Sequence, residues 1–255
     1  MTTSSSAAHA PTAATPRSRV HKSRWRDKVM SNGSIVSIAL FFFVVCVFFS
    51  IFTSAFLTAP NLLNIVRQSA PLLIVAASMT FVITTGGIDL SVGSVLALTA
   101  TLSAASLQAG IAWPLVVVLM LILGGAVGAL QGFFIAYERI PAFIVTLAGL
   151  SVVRGLALLI TAGYSIPVDA ESPFTAIGRA WFFGVPVPAL IALLALVLAY
   201  VTFNQTPFGR YVTGIGANAE AVRRAGVNTR FVTLCVYVLS GTAAAMAKTP
   251  KGAKA

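Results

Sequence analysis

Charge is scarce in this sequence of 255 residues: only 9% of them are Asp, Glu, Lys or Arg, and only six are acidic. A soluble domain usually carries about 25% charged residues. Hydrophobic residues make up 58% of the chain. They form runs close to the ~20 residues that a helix needs to cross a ~30 Å hydrocarbon core. The composition excludes an ordinary water-soluble fold and predicts an all-α membrane protein, a polytopic helical bundle.

Histidine and cysteine are also rare. His9 and His21 precede the first apolar run, so no histidine is available to a site within the membrane. Cys46 and Cys235 each lie inside an apolar run, where a free cysteine behaves as a small hydrophobic residue. The sequence therefore predicts neither a disulfide framework nor a metal site.

The motifs of common enzyme sites are missing. No lysine follows a glycine, which excludes the Gly-x-x-x-x-Gly-Lys-Ser/Thr phosphate-binding loop. No set of residues suits a Ser/His/Asp hydrolase or a metalloenzyme. We therefore predict that the protein is not an enzyme, needs no cofactor and cannot hydrolyse ATP by that mechanism.

The net charge of +11 would suggest nucleic-acid binding in a soluble protein. Here the basic residues lie between and beside the apolar runs, so we interpret them as topology signals and expect no nucleic-acid partner. Lys and Arg favour the cytoplasmic side of a membrane, and residues 1–34 are predicted to be a disordered basic cytoplasmic tail. The basic residues before the first run are Arg17, Arg19, Lys22, Arg24, Arg26 and Lys28.

The apolar runs predict seven spans. The first is longer than the ~7–15 apolar residues of a signal peptide, so we expect it to be retained. The second and third are short and meet at Gly86 and Gly87, so they could be two spans joined by a tight turn or one broken span. We favour two spans, because the arginine-rich connection 204–230 then lies on the cytoplasmic side. The predicted spans are 35–57, 69–84, 88–103, 114–137, 141–162, 185–203 and 231–247.

Asp89 lies between two apolar stretches, just after Gly86 and Gly87, whereas Asp27, Glu138, Asp169 and Glu171 lie in predicted tail or loop segments. An ionised carboxylate is costly within a membrane unless donors satisfy it. Two roles remain open. Asp89 or Ser91 could cap the next helix, whose free N–H groups and dipole favour a negative charge, or Asp89 could act in the passage of substrate or ions.

Two further patterns indicate helix contacts. Gly124, Gly128 and Gly132 recur every four residues, which favours close packing of two helices in lipid. Residues 218–226 read as a two-turn helix, because Asn218 suits its start and Gly226 its end. Three alanines at four-residue spacing, Ala217, Ala221 and Ala225, form a smooth face that is either solvated or a surface for another protein.

Four segments, in order, resemble the permease subunits of ribose/xylose-type (monosaccharide) ABC importers. The first, 84–94, contains Gly86, Gly87, Asp89, Ser91 and Gly93 and resembles the signature of that family. The others are 140–147, 154–157 and 206–210, the last leading into 214–226. Glu220, Ala221, Val222 and Gly226 resemble the motif with which such permeases dock on their ATPase, with Val222 where the motif has alanine.

The resemblance implies a multi-pass protein of the bacterial inner membrane that translocates a monosaccharide. Its implied partners are an ABC ATPase subunit, a periplasmic sugar-binding protein, a second permease copy and the lipid bilayer. Two alternatives stay open: an ion-coupled secondary transporter or channel, in which Asp89 would bind the proton or ion, and a truncated fragment that does not transport.

The C-terminal residues depart from the resemblance. Family members continue beyond Ala247, whereas here residues 248–255 carry three lysines, on the outer side by the predicted topology. We therefore expect 35–247 to be a permease domain that is incomplete relative to the family, followed by a tail, 248–255, that is not family sequence.

Overall fold

The structure is a computed structural model that describes residues 33–164, 166–168 and 172–247. Asp169, Glu171 and the predicted tail 248–255 lie outside the described residues, as does the predicted N-terminal tail up to residue 32. The chain divides into two compact units, Met1–Thr58 and Ala59–Ala255.

The described residues of the first unit contain one helix, α1, over Gly33–Phe52. Its phenylalanines are exposed, as in Phe41, which is 71% exposed, and Phe42, which is 67% exposed. A helix that is apolar on all sides suits a lipid environment.

The second unit contains eight further helices and one small hairpin in its described residues. Five of the helices, α2, α4, α5, α7 and α9, are long and apolar enough to cross a membrane, while α3 and the apolar part of α1 are shorter. All seven predicted runs are thus helical, and the all-α fold is confirmed. The elements are α2 (Ala59–Thr84), α3 (Val92–Gln108), α4 (Trp113–Ala136), α5 (Ala142–Thr161), α6 (Pro173–Arg179), β1 (Trp181–Phe182), β2 (Val185–Pro186), α7 (Val187–Gln205), α8 (Pro207–Arg224) and α9 (Thr229–Met246).

Several helix boundaries differ from the predicted spans: α1 ends at Phe52 and not at 57, α3 ends at Gln108 and not at 103, and two starts also differ. Helix α2 begins ten residues before the predicted residue 69, because polar residues such as Asn64 and Arg67 interrupt the apolar run without interrupting the helix. Pro60 lies in the first turn of α2, where a backbone N–H has no partner within the helix and proline is therefore tolerated. Helix α3 begins at Val92 and not at 88, because side-chain hydrogen bonds hold residues 88–91 outside the helix.

Helices α4 and α9 pack closely through glycine. A Cβ on Gly128 would lie against the carbonyl group of Tyr237, and a Cβ on Gly124 would lie against that of Gly241. Gly132 faces Leu234 in the same way. The predicted small-residue stripe is confirmed as a helix-packing face.

The packing shows that α2 and α3 form a hairpin. Helix α9 runs antiparallel to α2, because Val236 shares a buried cluster with Phe81 and Ala243 shares another with Ile74. Helix α3 runs parallel to α9: its start lies beside Ser240 through Asp89, and further along, Leu98 clusters with Ala244. The two-span alternative is therefore correct, and the broken span is excluded.

The bundle of the second unit has two ends. Helix α8 packs where α2 ends and α9 begins, with Val212 and Ile215 in one buried cluster with Phe81 and Val232. We call this the α8 end. The opposite end, where α2, α4 and α7 begin and α5 ends, is called the far end.

Candidate functional site

The segment between α2 and α3 contains the predicted signature residues and turns sharply at two glycines. Gly86 has φ +80°, a left-handed conformation that glycine adopts without steric cost. A Cβ on Gly87 would stand 2.5 Å from the hydroxyl oxygen of Tyr237. The first position needs glycine for its backbone conformation, and the second needs it for the close approach of α9.

Asp89 lies inside the bundle, where only 7% of its surface is exposed. Its Oδ1 accepts hydrogen bonds from the Ser91 backbone N–H at 2.9 Å and from the Ser91 hydroxyl at 2.7 Å. Its Oδ2 accepts a hydrogen bond from the Ser240 hydroxyl at 2.7 Å. Both carboxylate oxygens are therefore partnered by the protein, which offsets much of the cost of burial.

Ser91 connects this carboxylate to two more helices. Its hydroxyl has a single proton, which it donates to Asp89, and it accepts a hydrogen bond from Gln131 Nε2 of α4 at 2.9 Å. On α5, Gly149 leaves room for that amide, because a Cβ there would stand 2.5 Å from Gln131 Nε2. We call Asp89, Ser91, Gln131 and Ser240 the buried polar network.

The network lies deep within the bundle. Ser240 is about 16 Å along α9 from Thr229, at the 1.5 Å rise of an α-helix. Two weaker contacts fix the backbone at Ile88, whose carbonyl lies 3.4 Å from both the Thr146 hydroxyl and the Tyr237 hydroxyl. The segment is thus bonded to α5 and α9 at the residue directly before Asp89.

The structure revises the cap hypothesis. Asp89 bonds the N–H of Ser91, which precedes α3, and the Ser91 side chain makes no capping hydrogen bond to the first turn. Asp89 therefore fixes the segment before the helix and does not cap the helix. Gly93 lies exposed on the first turn of α3, with open space where a Cβ would stand.

Sequence reasoning missed Gln131, Ser240 and Tyr237. A signal was present, because a polar residue within an apolar run must find a partner inside the protein. Nothing in the sequence indicated that these three side chains converge on the Asp89 segment, which comes from a different part of the chain.

The second predicted feature, 218–226, is the last part of α8. Asn218 has φ −162° and ψ 91°, which kinks α8, and its Oδ1 accepts a hydrogen bond from the Ala221 N–H at 3.0 Å. Gly226 has φ +87°. The Gly226 N–H bonds the Arg223 carbonyl and the Val227 N–H bonds the Val222 carbonyl, the Schellman pattern that ends a helix. The predicted two-turn helix is confirmed, and we call it the short helix.

One side of the short helix is anchored in the bundle and the rest is exposed. Val222 is half-buried and packs on the cluster that contains Phe81, Val212 and Tyr237. Ala217, Ala221 and Ala225 are all exposed. The alanine face is thus accessible at the α8 end while Val222 fixes its orientation.

Glu220 is exposed and forms ion pairs with the arginines three and four positions later in the same helix. Its carboxylate stands 2.7 Å from Arg223 and 3.1 Å from Arg224. The hydrogen bond from Arg223 lowers the pKa of Glu220 most, and the hydrogen bond from Arg224 lowers it further below its usual value. Glu220 is therefore an ionised residue on the outer side of the short helix.

Helix α8 also touches the signature segment. A Cβ on Gly216 would lie against the carbonyl group of Thr84, at the residue where α2 ends. The short helix and the buried polar network are thus connected by two stretches of contiguous structure, one through α8 and Thr84 and one through α9.

Arg154 stands out among the charged residues of the spans. It is exposed on α5, about 18 Å along the helix from Ala142 at 1.5 Å per residue. It has no hydrogen bond or ion pair in the part of the chain that the structure describes. A charge at this depth normally faces other protein or a water-filled cavity.

Residues 61–248 match the family described as the permease component of the branched-chain amino acid transport system. The match covers the signature segment, the buried polar network and the short helix. The chain belongs to this permease family. It is therefore a multi-pass membrane protein of a transport family.

Several curated relatives are similar over most of the chain. The ribose import permease protein RbsC of Bacillus subtilis is 39% identical over 206 residues, which cover 80% of this chain and 64% of that protein. RbsC of Haemophilus influenzae is 36% identical over 195 residues, 75% of this chain and 60% of that protein. The galactofuranose transporter permease protein YtfT of Escherichia coli is 37% identical over 185 residues, 72% of this chain and 54% of that protein.

The chain thus spans a little over half to about two thirds of the length of these relatives. No solved structure matches it.

Proposed function

We propose that this chain is the membrane-spanning permease subunit of an ABC importer that carries a monosaccharide, of the ribose/xylose type, across the bacterial inner membrane. The observation that carries the proposal is the short helix, a capped and exposed helix anchored at the α8 end, in a chain whose relatives include sugar import permeases. Energy for transport comes from a separate ATPase, since no lysine of this chain follows a glycine.

The remaining partners follow from this proposal. A sugar-binding protein delivers the solute at the far end, and a second copy of the permease completes the pathway. The N-terminus and the α8 end then face the cytoplasm, consistent with arginines at the α8 end such as Arg210 and Arg230.

The alanine face of the short helix is the proposed docking surface for the ATPase. Ala221 presents only a methyl group, so a partner can approach the helix closely. Val222 packs into the cluster with Phe81 and Tyr237, so a displacement of the short helix is transmitted to α2 and α9. The buried polar network then holds the signature segment in a fixed position relative to both helices.

Matched substitutions on two sides of the short helix test the docking surface. Ala219 and Ala221 are both exposed, and at 3.6 residues per turn they point to nearly opposite sides. Ala221→Arg should abolish co-purification of the permease with its ATPase, whereas Ala219→Arg should preserve it. Equal binding by the two variants would contradict docking through the alanine face.

An ion-coupled transporter with Asp89 as the ion site is the weaker alternative. Such a site needs a carboxylate oxygen open to the ion, but both oxygens of Asp89 accept hydrogen bonds from Ser91 or Ser240. Sugar uptake that persists without the ATPase and collapses with an ion gradient would favour this alternative.

A further inference from the structure

The hairpin between α6 and α7 has an unusual residue at its tip. Strands β1 and β2 pair in register Trp181 with Pro186 and Phe182 with Val185, which leaves a two-residue loop. Both loop residues have positive φ, 47° at Phe183 and 78° at Gly184. Loops of this kind favour asparagine, aspartate or glycine at both positions. A phenylalanine in the left-handed region is unfavourable for the backbone, so its presence points to a role of the ring.

The base of the hairpin is held firmly. Pro186 is fully buried, and the Val187 N–H donates to the Ala180 carbonyl at 3.0 Å across the hairpin base. Helix α7 begins at Val187, directly after Pro186. The hairpin therefore projects from the start of α7 in a defined direction.

The tip, in contrast, is exposed and aromatic. Phe183 is 93% exposed, Phe182 59% and Trp181 47%. The two phenylalanine rings contact each other edge to face, with 4.7 Å between their centroids. No residue from 181 to 187 is charged, so the tip is an apolar surface.

The position of the hairpin indicates what covers this tip. Helix α7 has 19 residues and is therefore about 28 Å long at 1.5 Å per residue, close to the ~30 Å hydrocarbon core. Its start, and the hairpin just before it, then lie at the membrane boundary. Tryptophan and other amphipathic aromatic rings are enriched at that depth. Two more aromatic residues, Trp113 and Tyr164, are exposed at the same far end.

We infer that the hairpin tip, residues 181–183, inserts into the lipid headgroup and acyl boundary of the leaflet at the far end and anchors the start of α7 there. The occupant of this surface is lipid, because the tip is apolar and aromatic and precedes a helix that is about as long as the hydrocarbon core is thick. The left-handed backbone at Phe183 places its ring farthest out from the fixed base.

Tryptophan fluorescence of the full chain tests this anchor. With Trp25→Phe and Trp113→Phe, Trp181 is the only tryptophan left. In phosphatidylcholine and phosphatidylglycerol vesicles, brominated acyl chains should quench its emission, and aqueous iodide should quench it weakly. Phe183→Asn eases the backbone at the turn but removes the ring, so quenching by brominated lipid should fall about twofold and that by iodide should rise. Phe183→Leu, which keeps an apolar side chain, should resemble the parent protein.

Two outcomes would overturn the inference. Strong iodide quenching without any effect of brominated lipid would place the tip in water. Quenching by neither agent would mean that protein covers it, either a second copy or another chain.

A spin label provides a second measurement if the tryptophan variants fail to fold. The label is attached at Phe183→Cys with Cys46 and Cys235 replaced by serine, and its collisions with oxygen and with a water-soluble nickel complex are compared. Greater access to oxygen supports the lipid position, and greater access to nickel contradicts it.

Discussion

The hydroxyl of Ser240 donates a hydrogen bond of 2.7 Å to Oδ2 of Asp89, between residues 151 positions apart in the sequence. This contact joins α9 to the signature segment inside the bundle. The sequence alone could not assign either role. It does not show which donor reaches the Asp89 carboxylate, and nothing in it distinguishes Ser240 from the other small residues of α9.

Removal of this donor should destabilise the bundle. Ser240→Ala leaves one oxygen of the buried carboxylate unsatisfied, which costs about 1–3 kcal/mol. The thermal unfolding temperature in detergent should therefore fall. Ser151→Ala is the control, because Ser151 is exposed and bonds only the Leu147 carbonyl of its own helix. Equal stability of the two variants would show that the Asp89 network contributes nothing to the fold.

Replacement of glycine by alanine should have opposite effects at Gly128, which lies in the α4–α9 contact, and at Gly155, which does not. Gly128→Ala should destabilise the protein, because the new methyl group would press on the carbonyl of Tyr237. Gly155→Ala meets open space and should be neutral or add about 0.5–1 kcal/mol, since alanine favours a helix more than glycine does. Thermal unfolding of both variants checks this. A stable Gly128→Ala variant would exclude the close packing of α4 and α9.

The end of the short helix depends on the left-handed conformation of Gly226. Gly226→Ala should cost about 1 kcal/mol locally, because an L-residue is strained at φ +87°. Hydrogen exchange of the Val227 amide, which bonds the Val222 carbonyl, should become faster, while the amides of α9 keep their protection. Unchanged exchange at Val227 would mean that the Schellman end does not stabilise the short helix.

Arg154 should matter for transport through its charge. An exposed arginine within a span favours contact with water or protein over lipid, so we expect Arg154→Leu to reduce uptake of the transported sugar strongly and Arg154→Lys to reduce it less. Arg179→Leu at the far end is the control, since Arg179 is exposed outside the spans. Uptake by Arg154→Leu equal to that of the control would remove any role for this charge.

The sequence predicted the helices but, apart from the glycine stripe of α4, not their contacts. Hydrophobic runs and the distribution of arginines were sufficient for the seven apolar helices and for the hairpin at Gly86, because lipid imposes one strong constraint on length and polarity. The Asn218 and Gly226 ends of the short helix were also predicted, since caps depend on local chemistry.

Features that depend on distant residues were out of reach. Two roles were expected for Asp89, a helix cap or a part in the passage of substrate or ions. Its partner Ser240 and the Ser91 partner Gln131 lie on other helices, and their approach is set by the packing of α4, α5 and α9. The start of α2 was placed too late, because Asn64 and Arg67 lower the hydropathy of a segment that is nevertheless helical.

The most direct test of the proposed function is photo-crosslinking from the alanine face in living cells. A photoreactive phenylalanine analogue is placed at the position of Ala221 and, as a control, at that of Val185 at the far end. Adducts are identified by mass spectrometry. We predict an adduct with an ATP-binding subunit from position 221 and none from position 185. An inserted protein that forms no ATPase adduct from position 221 would contradict the assignment as an ABC permease.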